Sequence, residues 1–166
     1  MTRSALIMPK TLASLALMAG LLATPSAQAK DLGSRVGVGF DTSLASIPTL
    51  SVRYGVPTGN RVVNLQIEAD IGADLAKGSS AMVLGGRALY AIAVEDNVNF
   101  YAVGGLAMTT GDTGSTSLQP GFAMDMFLFG LENIGFTTAW GLDIVPGEDG
   151  GLATTGDLAA GVHYWF

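Results

Sequence analysis

His163 is the only histidine in the chain, and there is no cysteine. A metal site built on two imidazoles is therefore closed to a single chain, and thiol redox chemistry is closed outright. Tyr164 and Trp165 follow His163, and no serine stands at nearby spacing. Nucleophilic catalysis needs a nucleophile and an orienting partner within reach of the base, so a structural role is the expectation for His163. Asp70 and Asp74 could serve as an acid and base pair, but in extended chain they stand about 13 Å apart, too far for direct coupling. Arg53 and Arg87 could hold an anion; neutralising neighbouring carboxylates is the simpler task. Asp112, Glu148 and Asp149 sit among glycines and could take calcium weakly, yet no EF-hand ligand run is present, and solvated loops are expected there. Gly85-Gly86 before Arg87 lacks the spacing and strand-to-helix setting of a phosphate loop. Nothing in the sequence calls for a catalytic, cofactor or metal site.

These residues must be positioned by extended segments. Asn64 to Leu75 reads NLQIEADIGADL. One parity is polar or small (Asn64, Gln66, Glu68, Asp70, Gly72, Asp74) and the other is apolar throughout. That is a strand with two unlike faces. Seven further segments alternate in the same way, punctuated by Gly, Pro, Asn and Asp. The predicted strands run from Arg35 to Thr42, Thr49 to Val56, Arg61 to Leu75, Ser80 to Val94, Val98 to Thr109, Gly121 to Leu131, Ile134 to Val145 and Gly156 to Phe166.

A single parity rule sorts their side chains. If the acidic face of the third segment points inward, then Arg53, Arg87, Asp125, Asp143 and His163 join Glu68 and Asp70 inside, with Asp41 and Arg35 from the first segment. The outward parity then carries no formal charge: it includes Phe40, Val52, Tyr54, Leu84, Tyr90, Leu106, Phe122, Trp140 and Leu142. Val83, Leu89, Tyr101, Val103, Phe127 and Phe129 fall inside, as filling for a narrow barrel. A one-residue slip in the fifth or sixth segment would exchange its faces.

Composition narrows the solvent question. The chain has 166 residues, a length suited to one domain, and only 13% are charged, with a mean hydropathy of +0.43. Soluble domains carry about 25% charged residues, so apolar surface here exceeds what one small core needs. No apolar run of about 20 residues follows the N-terminal region, which leaves no spanning helix in the body of the chain. Residues 1–29 read as a cleaved secretory signal: Arg3 and Lys10 precede an apolar stretch from Thr11 to Ala23, and Ala27-Gln28-Ala29 predicts cleavage before Lys30. The rival is a retained anchor helix, for which that stretch is short. The single domain then spans 30–166. It holds six Lys or Arg against 14 acids once Arg3 and Lys10 are removed. No basic patch is left for nucleic acid.

Turn lengths and energetics favour lipid outside. Pro57 to Asn60, Glu95 to Asn97 and Glu132-Asn133 are tight connections, whereas Thr110 to Pro120 and Pro146 to Thr155 are longer. Short turns at one rim and longer loops at the other is the asymmetry of an outer-membrane barrel. Strands of about ten residues tilted by about 45° cross an apolar band roughly 25 Å tall, and closure pairs every backbone group within it. Tyr54, Tyr164 and Phe166 are placed for an interfacial girdle. The chain ends LAAGVHYWF, with Leu158, Ala160, Val162, Tyr164 and Phe166 on one parity.

That ending, with the layout and charge placement from about Arg35 to Phe166, resembles the small eight-stranded outer-membrane barrels, such as the transmembrane domain of outer membrane protein A. The resemblance implies an all-β, antiparallel up-and-down barrel integral to the bacterial outer membrane. It implies lipids and lipopolysaccharide as surroundings, recognition of the last strand by the barrel-assembly machinery, and a non-enzymatic structural or surface-interaction role. The short outer loops and the lack of a periplasmic domain depart from that kind, so peptidoglycan anchoring and extended adhesive loops do not carry over. A narrow diffusion pore, a lipid-modifying enzyme and a soluble periplasmic lipocalin-like barrel are the competing readings.

Overall fold

The computed structural model describes residues 30–42, 47–59, 64–74, 80–111, 114–128, 130–147 and 152–166, with side chains of the last stretch described from residue 156. The expected signal segment 1–29, Phe129 and the loop acids Asp112, Glu148 and Asp149 lie outside the described residues. No helix among those described is long and apolar enough to cross a membrane. The regular elements are strands: β1 (Val36–Asp41), β2 (Thr49–Val56), β3 (Leu65–Asp74), β4 (Ala81–Val94), β5 (Val98–Thr110), β6 (Ser115–Leu118), β7 (Gly121–Phe127), β8 (Ile134–Pro146) and β9 (Leu152–Trp165). Neighbouring strands pair antiparallel in chain order, except that β6 and β7 both lie between β5 and β8, and the sheet closes where β1 pairs with β9 through Gly37↔Trp165 and Gly39↔His163. Closure removes the free edges that an open sheet would present.

Among the described residues nine strands occur where the alternation predicts eight, because proline interrupts one of them. Leu106↔Leu118 on β6 and Val103↔Gly121 on β7 lie in one unbroken register against β5. Gln119 completes it by exchanging both backbone hydrogen bonds with Gly105, at 2.9 and 3.1 Å. On the other side Leu142 N–H donates to the Pro120 carbonyl at 3.0 Å, and Pro120 has no N–H to return. β6 and β7 are thus two pieces of one barrel strand, and the barrel has eight staves.

This corrects the expected loop asymmetry. Ser115 to Leu118, expected in a long loop, are strand, which leaves only residues 111–114 between β5 and β6. β8 extends to Pro146 and β9 begins at Leu152, so that connection shortens as well. The tight turn expected at Glu132-Asn133 instead spans 128–133, since β7 ends at Phe127; Leu131 N–H donates to Leu128 O at 3.0 Å, and Gly130 takes a positive φ of 80°. Loop length therefore does not distinguish the two rims.

The faces follow the parity rule along every strand. β3 reads alternately exposed and buried, with Gln66, Glu68, Asp70 and Gly72 buried. Phe40, Ile67, Leu84, Leu106, Phe122, Trp140 and Leu158 are exposed. Val83, Leu89, Tyr101 and Phe127 are buried inside, so β5 and β7 keep the expected register. One irregularity falls between Ala91 and Ala93, where Ile92 is the extra residue of a bulge against β5.

Inside, the filling is layered. Leu32, Phe127 and Trp165 cluster near the rim that holds the described start and end of the barrel. Glycines make room for them: a Cβ on Gly37 would lie 3.0 Å from the Trp165 ring, and one on Gly135 would meet both Phe127 and Trp165. Leu89, Ala91, Tyr101, Ala123, Ala139 and Ala159 form a second cluster, in which small alanines on β7, β8 and β9 face the opposite wall. Those small residues leave the lumen width that two arginines from β2 and β4 occupy.

Candidate functional site

Arg53 on β2 is fully buried and reaches across the lumen. Its guanidinium lies 3.4 Å from Asp41 on β1, 3.2 Å from Glu68 on β3 and 3.0 Å from Asp125 on β7. Nη1 also donates to Thr137 Oγ1 on β8 at 3.0 Å. Arg87 on β4 approaches the same acids from the other side, 3.1 Å from Asp41 and 2.9 Å from Glu68. Its stem lies along Gly105, where an added Cβ would meet Cγ at 2.6 Å. Neutral groups complete the network. Thr137 donates to Asp125 at 2.7 Å, Ser51 to Glu68 at 2.7 Å, and Gln66 Nε2 to the Tyr101 hydroxyl at 2.6 Å. Charges excluded from water persist only when paired and hydrogen-bonded in this manner.

The sequence-derived interior set divides. Arg53, Glu68, Arg87 and Asp125 meet directly. Asp70 is buried on the same face of β3 but does not come within ion-pairing distance of either arginine. Asp143 stands apart: it accepts from Ser117 at 3.2 Å and Gln119 at 2.7 Å and pairs with neither arginine. Its position on β8 sets it against the strand that carries Pro120, where Ser117 and Gln119 hold it. Arg35, expected inside, lies at the rim and clasps the last strand, donating to Trp165 O at 2.9 Å, Phe166 O at 3.3 Å and Asn133 Oδ1 at 2.8 Å. Asp41, by contrast, is central and bridges both arginines. Ser51, Gln66 and Thr137 were legible only as inward-parity polar residues, with nothing in their spacing to mark their partners.

His163 does have a serine neighbour, contrary to the sequence expectation. Nε2 lies 2.9 Å from Ser51 Oγ. The two come from strands on either side of β1, and the residue between them, Gly39, pairs with both and carries no side chain to keep them apart. The arrangement is nonetheless reversed for catalysis. Ser51 gives its proton to Glu68, so its oxygen receives one from Nε2–H. A catalytic imidazole must accept from the serine, and Nδ1, where an orienting carboxylate would sit, has no hydrogen-bond partner. Both residues are sealed from the surface.

Asp41, Glu68 and His163 place ligand-type atoms within 4.8 Å of one another. Two guanidiniums already contact both carboxylates of that trio, so its positive charge is supplied from within and a divalent ion would meet like charge. The last strand places Leu158, Ala160, Val162, Tyr164 and Phe166 outward, with the Tyr164 and Phe166 rings edge to face at 4.9 Å.

No protein-family model matches the sequence, and no curated protein does. Among solved structures, the chain is similar to the N-terminal β-barrel domain of Pseudomonas aeruginosa OprF, at 14% identity and a TM-score of 0.54, covering 80% of this chain and 96% of that one. It is also aligned with the Yersinia pestis outer membrane protein Ail (12% identity, 80% and 97% covered, TM-score 0.49) and Neisserial surface protein A (16% identity, 80% and 94% covered, TM-score 0.42). The first likeness is one of fold: an antiparallel up-and-down barrel of the small outer-membrane kind.

Proposed function

We propose that the chain is an integral outer-membrane barrel with a structural or surface-interaction role and no enzymatic activity. The observation that carries this reading is the separation of charge. Among the described residues every formal charge on the strands points inward or lies at a rim, while the outward face is an uncharged apolar belt with threonines such as Thr116 and Thr138 as its polar exceptions. Soluble monomers rarely expose contiguous apolar patches beyond about 300–600 Å². A belt that circles the barrel suits hydrocarbon, with the charges offset in the lumen. Membrane fractionation with gel mobility of the unboiled and boiled protein tests it. A heat-modifiable band in the outer-membrane fraction is expected, and recovery in the soluble periplasmic fraction would refute it.

The filled lumen favours a closed barrel over a diffusion pore. The Arg53 layer, the Tyr101 layer and the Trp165 plug stack along the axis, in keeping with the narrow interior of eight strands. Refolded protein in planar bilayers is expected to show no stable open state. The reversed Ser51 and His163 geometry argues against hydrolysis of lipid. Recognition of the last strand by the assembly machinery rests on the outward row ending at Phe166.

A further inference from the structure

The inward charges do not balance. Asp41, Glu68, Asp70, Asp125, Asp143 and Asp157 lie on the inward parity against Arg53 and Arg87, six acids to two bases, which leaves an excess of four negative charges. The two guanidiniums are engaged by Asp41, Glu68 and Asp125. The other three acids stand further along their strands towards one end of the lumen, the end of the β3–β4 and β8–β9 connections. Asp70 follows Glu68 on β3, Asp143 lies beyond Thr137 on β8, and Asp157 precedes Gly161, the partner of Asp41, on β9. Carboxylates drawn away from bulk water persist only with a compensating partner.

Gln119 supplies a second, independent observation at that end. Its backbone pairs with Gly105, its side chain points into the lumen, and its exposure is only 7%. Nε2 donates to Asp143 Oδ1 at 2.7 Å, which fixes the amide and sets its carbonyl beside that carboxylate. Oε1 is buried with no hydrogen-bond partner, and so are both carboxylate oxygens of Asp70. A buried acceptor without a donor is costly. Among the described residues, every buried unpartnered side-chain atom at this end is thus an oxygen acceptor.

There is room for what is missing. Gln119 and Asp157 border one crevice of about 20 Å³, and a single water-sized sphere needs roughly 10–15 Å³. Gly121 and Gly141, paired across β7 and β8, put no side chain into it. Arg87 also borders the crevice, but its guanidinium is turned to Asp41 and Glu68. The charge that acts most strongly on Asp157 is Asp143, and both are half-buried, so water reaches them.

We infer that this end of the lumen is a cation site, in which Gln119 Oε1, Asp143 and Asp157 hold one hard divalent ion of the magnesium or calcium class. The donors are all oxygens, which suits such ions and excludes soft metals. The ion keeps part of its water shell, because Asp143 and Asp157 belong to no trio of acidic or histidine groups within 4.8 Å of one another. The site needs the closed lumen and is independent of what surrounds the outward belt.

The test uses the exported protein, purified in detergent from whichever cell fraction holds it, stripped with chelator and checked for strand content by circular dichroism. Terbium(III), an oxygen-seeking probe, is titrated and its emission excited through tryptophan; Trp140 borders the crevice, whereas Trp165 packs with Leu32 and Phe127. Saturable emission that magnesium or calcium displaces is expected. Asp157→Asn should weaken binding about tenfold, since affinity follows the charge count of the ligands, and Gln119→Leu severalfold. Asp157 is half-exposed, so its neutral isostere keeps the fold even if Gln119→Leu does not. The loop variant Glu148→Gln with Asp149→Asn should bind as the wild type does. Absence of saturable emission from the folded protein, an unchanged affinity in Asp157→Asn, or loss of binding in the loop variant overturns the site. None of these results bears on the membrane reading, which fractionation decides separately.

Discussion

Removing one arginine from the lumen should cost more than removing one acid, and the structure gives the reason. Asp41, Glu68 and Asp125 face two guanidiniums. Arg53→Met leaves three carboxylates to Arg87 alone and strands Asp125, which then keeps only neutral neighbours such as Thr137 at 2.7 Å and Gln66 at 3.4 Å. Breaking a buried pair from one side costs about 3–5 kcal/mol, because a charge is left uncompensated. Asp125→Asn instead leaves two acids to two bases, so its loss is mainly that of hydrogen bonds to a charged group, about 1.5–3 kcal/mol. The double variant should recover part of the sum, as groups in one network do. Reversible urea unfolding in vesicles, read by tryptophan fluorescence and gel mobility, measures all three. With a slope near 2 kcal/mol/M, a loss of about 4 kcal/mol moves the midpoint by roughly 2 M. The reasoning fails if Arg53→Met unfolds within about 0.5 kcal/mol of the wild type, or if Asp125→Asn is the more damaging of the two.

Ile67→Arg puts a charge on the outward belt and should destabilise the inserted barrel by about 2–4 kcal/mol in the same unfolding experiment; an effect near zero would mean that water bathes that face. Gly39→Ala should prevent proper closure, since its Cβ would fall on the Val162 carbonyl of the neighbouring strand, and loss of the folded band on unboiled gels is the readout. Deleting Phe166 should slow insertion in cells far more than it lowers stability after refolding in vitro, which pulse-chase assembly and urea midpoints separate. Arg35→Ala should lower the midpoint instead, because it releases three contacts that tie β9 to the rim.

How far the fold was legible depended on what writes itself into a period of two. Glu68 and Ile67 could be assigned to opposite faces from sequence because adjacent residues of a strand must point apart. The loop lengths were not legible in the same way. Gly114-Ser115-Thr116-Ser117 has the composition of a turn, yet β6 forms from Ser115 because β5 offers ladder partners from Leu106 to Thr109 and β8 joins at Leu118. Propensity is the weaker force when neighbouring strands supply hydrogen bonds. Pro120 misled in the opposite sense: it reads as a stop, but it costs one donor and the strand resumes in register at Gly121.

The site was legible as a list of inward charges and illegible as a set of partners, and the reason lies in residues that carry no charge. Which inward groups meet is decided by the stagger between strands and by the positions where side chains are missing. Ser51 and His163 are 112 residues apart, and they touch because Gly39 lies between them in the sheet. Arg87 can turn toward Glu68 because Gly105 presents no side chain to its stem. A glycine is neutral in an alternation pattern, so the pattern passes over these two positions. Replacing Gly105 should therefore push the Arg87 stem out of place while every inward charge keeps its parity. Partner choice in this lumen is a property of the gaps as much as of the ions.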